Sequence, residues 1–238
     1  MNAKPNAIAL PNASRQPPCE TMTTSMTTTI ERRMRLDPGA AQRFAEIYEQ
    51  SFPPSERDDT ADLLASIAAG KRLCYVAARD GVLVGLAVVF GLDDLSVALL
   101  EYMAVAPQER NAGVGGALIT HLRTNLGSDV GALGMVLEAE LPAEAEGEER
   151  TLRERRVGFY MRNGASTVEC APRYRTPNFE REDETVPFTL LWVPLSDEAP
   201  AELVGSHLRR CVEAILTESY GLGVDDPLVR EVVDDLAC

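Results

Sequence analysis

The most informative stretch of this sequence is Leu99-Leu-Glu-Tyr-Met-Ala-Val-Ala-Pro-Gln-Glu-Arg-Asn-Ala-Gly-Val-Gly-Gly-Ala-Leu-Ile119. Strand-forming residues run to Val105, a turn follows at Pro107, and an apolar helical pattern begins after the glycines. Glycines let backbone N–H groups surround an anion, and a helix N-terminus adds partial positive charge. The stretch therefore predicts a phosphate site between a strand and a helix.

Two common phosphate loops do not match this stretch. A Walker loop requires Lys and then Ser or Thr after its second glycine, where this chain has Gly116 and Ala117. A dinucleotide-binding loop requires a third glycine at the position of Leu118. The sequence therefore indicates neither nucleotide hydrolysis nor hydride transfer.

The remaining pattern resembles the coenzyme A loop of the GNAT superfamily of N-acetyltransferases. From Tyr102 to Leu118 it is Tyr-Met-Ala-Val-x-Pro-x-x-Arg-x-x-Gly-Val-Gly-x-x-Leu, which is far more specific than a pair of glycines. Asn111 stands where this family often has glycine or another small residue, but Asn tolerates unusual backbone angles well.

The resemblance implies a set of contacts with acetyl-CoA. Loop N–H groups would hold the pyrophosphate, Arg110 would brace the loop or approach the phosphates, and strand backbone would pair with the pantetheine arm. The cofactor-binding residues predicted in this way are Met103, Ala104, Val105, Arg110, Asn111, Ala112, Gly113, Val114, Gly115, Gly116 and Asn163.

A second segment, Arg155-Arg-Val-Gly-Phe-Tyr-Met-Arg-Asn-Gly-Ala165, resembles the Phe-Tyr-x-x-x-Gly-Phe helix end of the same superfamily. The resemblance implies that Tyr160 donates a proton to the leaving thiolate. Ala165 replaces the common phenylalanine, which changes packing without moving the tyrosine. The alternative is that Tyr160 is a core aromatic residue.

The base is less clearly marked. Glu101 and Glu138 lie within predicted strands, where burying a carboxylate is costly and needs a reason. Either could accept the amine proton or anchor a cationic substrate, or both could be ion-paired with Arg155 and Arg156. The segment Val136-Leu-Glu-Ala-Glu140, with those arginines, resembles a bacterial subgroup of the superfamily. Glu56 is expected at the acceptor entrance.

The amino-acid composition limits the classes of binding partner that are expected. The net charge of −14 argues against non-specific nucleic-acid binding and fits cationic acceptors such as polyamines, aminoglycosides or lysine side chains. No apolar run approaches the roughly 20 residues of a membrane span, and the N-terminus is a poor secretory signal, so a cytoplasmic location is expected. The cysteine and histidine spacing predicts no metal site.

The order of predicted elements is β-α-α-β-β-β-α-β-α-β-β, followed by helices, which indicates an α/β protein. It is also the order of the GNAT fold, which implies a mixed central sheet of about seven strands flanked by helices. We expect a disordered tail over residues 1–26, the GNAT domain over 27–197 and a C-terminal helical extension over 198–238. The extension would pack on the core or on a partner, including a second copy in a homodimer.

Two functional hypotheses follow. The first is an N-acetyltransferase that moves the acetyl group of acetyl-CoA directly to a primary amine of a small molecule or peptide in a ternary complex. The second is a non-catalytic acyl-CoA-binding sensor or assembly module, for which the C-terminal helices would be the partner surface. A longer acyl donor and a protein acceptor also stay open.

Overall fold

The computed structural model describes residues 27–181 and 183–237. The tail predicted over residues 1–26 lies outside this part of the chain. The strands are β1 (Thr28–Arg33), β2 (Leu73–Arg79), β3 (Val82–Leu92), β4 (Val97–Val105), β5 (Gly134–Glu140), β6 (Ser166–Thr167), β7 (Arg175–Pro177) and β8 (Thr185–Pro194). The helices are α1 (Pro38–Ser51), α2 (Thr60–Ala68), α3 (Val114–Val130), α4 (Gly147–Arg162), α5 (Gly205–Ala214) and α6 (Pro227–Asp234).

The strands form one mixed sheet in the order β1-β2-β3-β4-β5-β8-β6, with β7 also pairing with β8. The β4–β5 pair is parallel, and the other pairs are antiparallel. This arrangement confirms the predicted α/β architecture with a mixed sheet flanked by helices. The sheet has eight strands where about seven were expected.

Short polar signals begin and end these elements as the sequence predicts. The Asp37 carboxylate accepts hydrogen bonds from the N–H groups of Gly39 and Ala40 at 3.0 Å and so caps helix α1. Between β2 and β3, Asp80 and Gly81 both have positive φ, at 49° and 77°. Two successive left-handed residues make the tight turn that suits a hairpin.

Helix α3 packs one apolar stripe on the sheet. Four residues spaced four positions apart, Val114, Leu118, Leu122 and Leu126, are all buried. They join the core cluster that contains Tyr160 of helix α4. Helices α1 and α2 form a second cluster through Phe44, Ile47, Leu63 and Ile67, among others. Strand residues alternate between these clusters, so the two helix pairs cover opposite faces of the sheet.

The C-terminal extension packs on the chain's own core. Leu208, Cys211 and Val232 lie in one buried cluster with Leu99 of β4 and Trp192 of β8. Helix α5 begins at Gly205 and gives way to a π-helical turn, Ile215–Ser219. Among the described residues, no helix is both long and apolar enough to cross a membrane.

Candidate active site

The central feature of the site is a gap between strands β4 and β5. Their parallel pairing covers only Val97–Leu100 and Gly134–Leu137, yet β4 continues to Val105 and β5 to Glu140. Beyond the paired region the facing edges of the strands separate. The backbone of β4 at Met103, Ala104 and Val105 therefore borders the gap, where an extended ligand could pair with it.

A β-bulge lies where the gap opens. Val88 of β3 pairs with Tyr102, and its neighbour Val89 pairs with Leu100, so Glu101 is the extra residue on β4. A bulge bends its strand and redirects the side chain of the extra residue. Here Glu101 is among the residues that line a cavity of about 630 Å³.

The glycine loop lies at one end of this cavity. Asn111 and Gly113 adopt left-handed backbone conformations, with φ of 63° and 84°. The first bond within helix α3 runs from the Ala117 N–H to the Gly113 carbonyl at 3.0 Å. The N–H groups of Val114, Gly115 and Gly116 precede it in the first turn, where helical N–H groups have no partner within the helix. They are therefore positioned to bind an anion.

Two arginines brace this loop. Arg110 donates from Nε to the Val105 carbonyl at 3.2 Å. Arg79, which the sequence did not single out, donates to the Ala112 carbonyl at 2.6 Å and pairs with Glu109 at 2.8 Å. The carbonyl of Ala112 is thereby drawn to one side of the loop. The loop conformation is thus fixed by side chains from β2 and from the loop itself.

Helix α4 forms the opposite wall and carries Tyr160. An added methyl on Gly115 would lie 3.4 Å from the Phe159 ring, so the loop and α4 approach closely. Tyr160 lines the cavity and is only 8% exposed. Among the described residues, its hydroxyl has no hydrogen-bond partner. Burial raises the pKa of Tyr160 to about 12, so the phenol stays protonated at neutral pH and is available as a donor.

Glu138 of β5 lines the same cavity. One of its carboxylate oxygens accepts a short hydrogen bond from the Tyr174 hydroxyl, and the other accepts from the Tyr220 hydroxyl at 2.8 Å. Burial raises the pKa of Glu138 to about 7, and the nearby Glu101 charge raises it too, while the two tyrosines lower it. A carboxyl with this pKa can gain or lose a proton near neutral pH.

Glu101 has a different environment. Its carboxylate accepts from Arg72 Nε at 2.6 Å and from the Ser219 hydroxyl at 2.7 Å. Burial raises the pKa of Glu101, and Arg72 opposes that rise. Arg72 also pairs with Asp58 at 3.3 Å. The ion pair that Glu101 makes is therefore with Arg72.

The alternative in which Glu101 and Glu138 pair with Arg155 and Arg156 does not match the contacts of the described residues. Arg156 instead lies against Glu140, which also pairs with Arg153 at 3.8 Å. Glu138 and Glu140 are two residues apart on one strand face, but only Glu140 is within reach of helix α4. Spacing along a strand could not show which of the two faces the arginines.

The predicted contacts of Ala112, Val114 and Asn163 with the cofactor stay predictions. Within the described part of the chain, these residues do not line the cavity. The Val114 side chain is buried in the core. The Asn163 side chain donates to the Phe159 carbonyl at 2.8 Å, which secures the end of helix α4. The other predicted cofactor contacts, from Met103 to Gly116, and the expected entrance residue Glu56 line the cavity.

Comparison with known proteins agrees with this geometry. Residues 70–164, from the end of helix α2 to the end of helix α4, match the family model of the acetyltransferase (GNAT) domain. This segment of the chain is therefore similar to the GNAT acetyltransferase domain. Acetyl-CoA is the co-substrate of GNAT acetyltransferases, and the glycine loop described above lies within the matched segment. Among the described residues, no cluster of His, Cys, Asp and Glu is arranged to bind a metal.

Solved structures of acetyltransferases share this fold. A protein assigned to the GNAT acetyltransferases from Bacteroides thetaiotaomicron is 22% identical, with a TM-score of 0.62 over 81% of this chain and 99% of that one. The ribosomal-protein-S18-alanine N-acetyltransferase of Escherichia coli is 20% identical, with a TM-score of 0.52 over 73% and 97%. An aminoglycoside 6'-N-acetyltransferase complexed with coenzyme A is 16% identical, with a TM-score of 0.55 over 72% and 99%. No curated protein matches the sequence significantly.

Proposed function

We propose that this protein transfers the acetyl group of acetyl-CoA to a primary amine of a small molecule or peptide, directly, in a ternary complex. The observation that carries the proposal is the shared cavity. It joins the phosphate-binding loop, the separated backbone of β4, the Glu138 carboxylate and the Tyr160 hydroxyl. These are the groups that amine acetylation needs, and each comes from a different element.

In the proposed reaction, Glu138 is the base. Its carboxylate accepts a proton from the amine, directly or through water, as the amine nitrogen attacks the thioester carbonyl. The carbon–sulfur bond then breaks, and Tyr160 donates its phenolic proton to the departing thiolate. The products are an amide and a free thiol, and the proton held by Glu138 returns to Tyr160 through solvent.

Glu101 is the weaker candidate for the base. Glu101 and Glu138 each accept hydrogen bonds on both oxygens, but one donor to Glu101 is the cation Arg72, whereas both donors to Glu138 are phenols. A cation stabilises the ionised carboxylate and makes it a poorer proton acceptor. We assign Glu101 a structural role at the acceptor end of the cavity, which is the end that contains Glu101 and Glu138. Its negative charge there also attracts an approaching ammonium group.

The test is a thiol-release assay with acetyl-CoA across a panel of amines. The panel includes peptide N-termini, lysine side chains, polyamines, aminoglycosides and aromatic monoamines. Tyr160→Phe should lower kcat by about 10²-fold or more and leave the Kd for acetyl-CoA nearly unchanged. Unchanged turnover in this variant would remove Tyr160 from the mechanism.

The same assay separates the catalytic proposal from a binding module. Tight acetyl-CoA binding without transfer to any amine of the panel would favour a non-catalytic sensor. Two proteins of similar fold are named for acetylating a ribosomal-protein alanine and an aminoglycoside, which supports keeping peptide N-termini and aminoglycosides in the panel. The cytoplasmic location and the homodimer stay predictions.

A further inference from the structure

The C-terminal extension contributes side chains to the cavity. Ser219 donates to Glu101 at 2.7 Å, and Tyr220 donates to Glu138 at 2.8 Å. These two neighbours in sequence thus contact carboxylates on opposite sides of the gap between β4 and β5. Residues beyond the matched GNAT model therefore contact the two strand carboxylates, Glu101 and Glu138.

An unusual backbone places these two residues. Helix α5 ends in the π-helical turn Ile215–Ser219, and the Tyr220 N–H bonds to the Ile215 carbonyl at 3.1 Å. A π-turn inserts an extra residue, changes the direction of the side chains that follow, and often occurs at functional sites. Ile215 and Leu216 are fully buried, so this turn is anchored in the core.

The Tyr220 ring forms a wall of the cavity with Phe179. The two rings stack with centroids 5.7 Å apart and an angle of 25° between their planes. Phe179 is 42% exposed, and its N–H bonds to the Ser55 carbonyl at 3.0 Å. That bond ties the Phe179 loop to the segment after helix α1, beside Phe52, which also lines the cavity. The acceptor end is thus bordered by flat apolar surfaces.

The charges near Glu138 favour an acceptor with a single ammonium group. The groups that influence Glu138 are Tyr174, Tyr220 and Glu101. Glu101 and Asp58 share the cation Arg72, at 2.6 Å and 3.3 Å. Among the described residues, Glu138 has two hydrogen-bond donors but no paired cation, and an ammonium group would supply that cation.

We propose that the C-terminal extension completes the acceptor subsite. Tyr220 positions Glu138 through its hydroxyl, and its ring, with Phe179, receives an acceptor whose one primary amine is carried on an aromatic or other flat apolar body. This inference rests on the proposed role of Glu138 as the base. Tyr220 is a positioning residue, because it acts on the amine proton only through Glu138.

Tyr220→Phe tests the positioning role, because it keeps the ring and removes the hydroxyl. The ionised form of Glu138 loses a hydrogen bond, so the pKa of Glu138 rises. In a plot of kcat/KM against pH, the acidic limb should move to higher pH by about one unit. The value of kcat/KM should then fall about tenfold at pH 6 and change little at pH 9. The Kd for acetyl-CoA should not change. An unmoved limb would overturn the role of Tyr220.

Tyr75→Phe is the matched control. The Tyr75 hydroxyl donates to Asp129 at 2.6 Å, so this variant also loses a partly buried tyrosine–carboxylate bond, but away from the cavity. Its acidic limb should stay in place. A carbon-13 NMR titration of the Glu138 carboxyl, assigned with Glu138→Gln, measures the same shift without turnover. A shift in that titration without acetylation of any amine would refute the proposed function and leave the Tyr220 contact standing.

The acceptor class is tested by binding to the protein saturated with coenzyme A at pH 8. We expect 2-phenylethylamine to bind more tightly than either ethylamine or spermidine. Phe179→Ala should weaken 2-phenylethylamine binding by about 2- to 10-fold and leave ethylamine unaffected. Met161→Ala, at a side chain 44% exposed on helix α4, is the control. Tightest binding of spermidine, or no effect of Phe179→Ala, would overturn the aromatic monoamine assignment.

Discussion

Replacing Arg72 by Met would leave two partly buried carboxylates without their cation. The Arg72 guanidinium lies 2.6 Å from Glu101 and 3.3 Å from Asp58, and the side chains of Arg72 and Glu101 are only 14% and 6% exposed. It also donates to Ser66 at 3.0 Å. Removing one partner of a buried ion pair typically costs about 3–5 kcal/mol, because an uncompensated charge is left behind. We expect a loss of that size at pH 8.

The loss should depend on pH with a defined sign. Burial raises the pKa of both Asp58 and Glu101, and Arg72 lowers both, so the variant has the higher values. A carboxyl whose pKa is higher in the folded than in the unfolded state destabilises the fold as pH rises from the unfolded pKa through the folded one. Lowering the pH favours the protonated, uncharged form of these carboxyls, which needs the cation less. The deficit of Arg72→Met should therefore be smaller at pH 5 than at pH 8.

Urea denaturation at the two pH values measures both effects. Arg150→Met is the matched control, because Arg150 pairs with Glu154 on the surface with both side chains more than half exposed; it should cost less than about 1 kcal/mol. The double variant Arg72→Met/Glu101→Gln should be more stable than the sum of the single changes predicts, since it removes one of the orphaned charges. A deficit below about 1 kcal/mol, or one equal at both pH values, would refute the buried ion pair.

Three further predictions concern the base, the core and the loop. Glu138→Gln should lower kcat/KM by about 10²-fold or more and abolish the acidic limb, which the wild type should show near pH 7; an unchanged pH profile would exclude Glu138 as the base. Gly134→Ala should destabilise the protein by about 1–3 kcal/mol in urea denaturation, because the new methyl would overlap the buried Trp192 ring. Arg79→Ala should raise the calorimetric Kd for acetyl-CoA about 5- to 10-fold with kcat retained, because the Ala112 carbonyl loses its 2.6 Å brace; an unaltered Kd would argue against that role.

The fold was predictable where the sequence pattern is local. The Asp80-Gly81 turn, the Asp37 cap and the stripe of helix α3 each depend on residues within about four positions of one another. Strand β7 was not predicted, because its three residues, Arg175–Pro177, are too few to show alternation. Its pairing with β8 is a contact that only the folded chain provides.

The donor side of the site was predictable for the same reason. The loop residues lie within seven positions of the sequence, and five of them line the cavity: Arg110, Asn111, Gly113, Gly115 and Gly116. The brace from Arg79 was missed, since the contact with Ala112 spans 33 positions. An arginine at the end of a strand offers no signal that distinguishes it from an ordinary surface residue.

The acceptor side depends almost entirely on such distant contacts. Tyr220 lies 82 positions from Glu138, and Ser219 lies 118 positions from Glu101. The sequence Tyr220-Gly-Leu-Gly223 suggests only a flexible connection between two helices. The structure gives it a different meaning, because the π-helical turn before it directs Ser219 and Tyr220 into the cavity.

The contrast between the two strand carboxylates shows how environment supports a division of roles. Glu101 and Glu138 have the same carboxyl side chain and lie in the neighbouring strands β4 and β5. Glu101 meets a cation and a hydroxyl, whereas Glu138 meets two phenols and the negative field of Glu101. Phenols stabilise a carboxylate less than a guanidinium does, so Glu138 is the carboxyl whose proton is exchangeable near neutral pH. Because one of those phenols is Tyr220, the basicity of the proposed base depends on a segment outside the matched acetyltransferase domain.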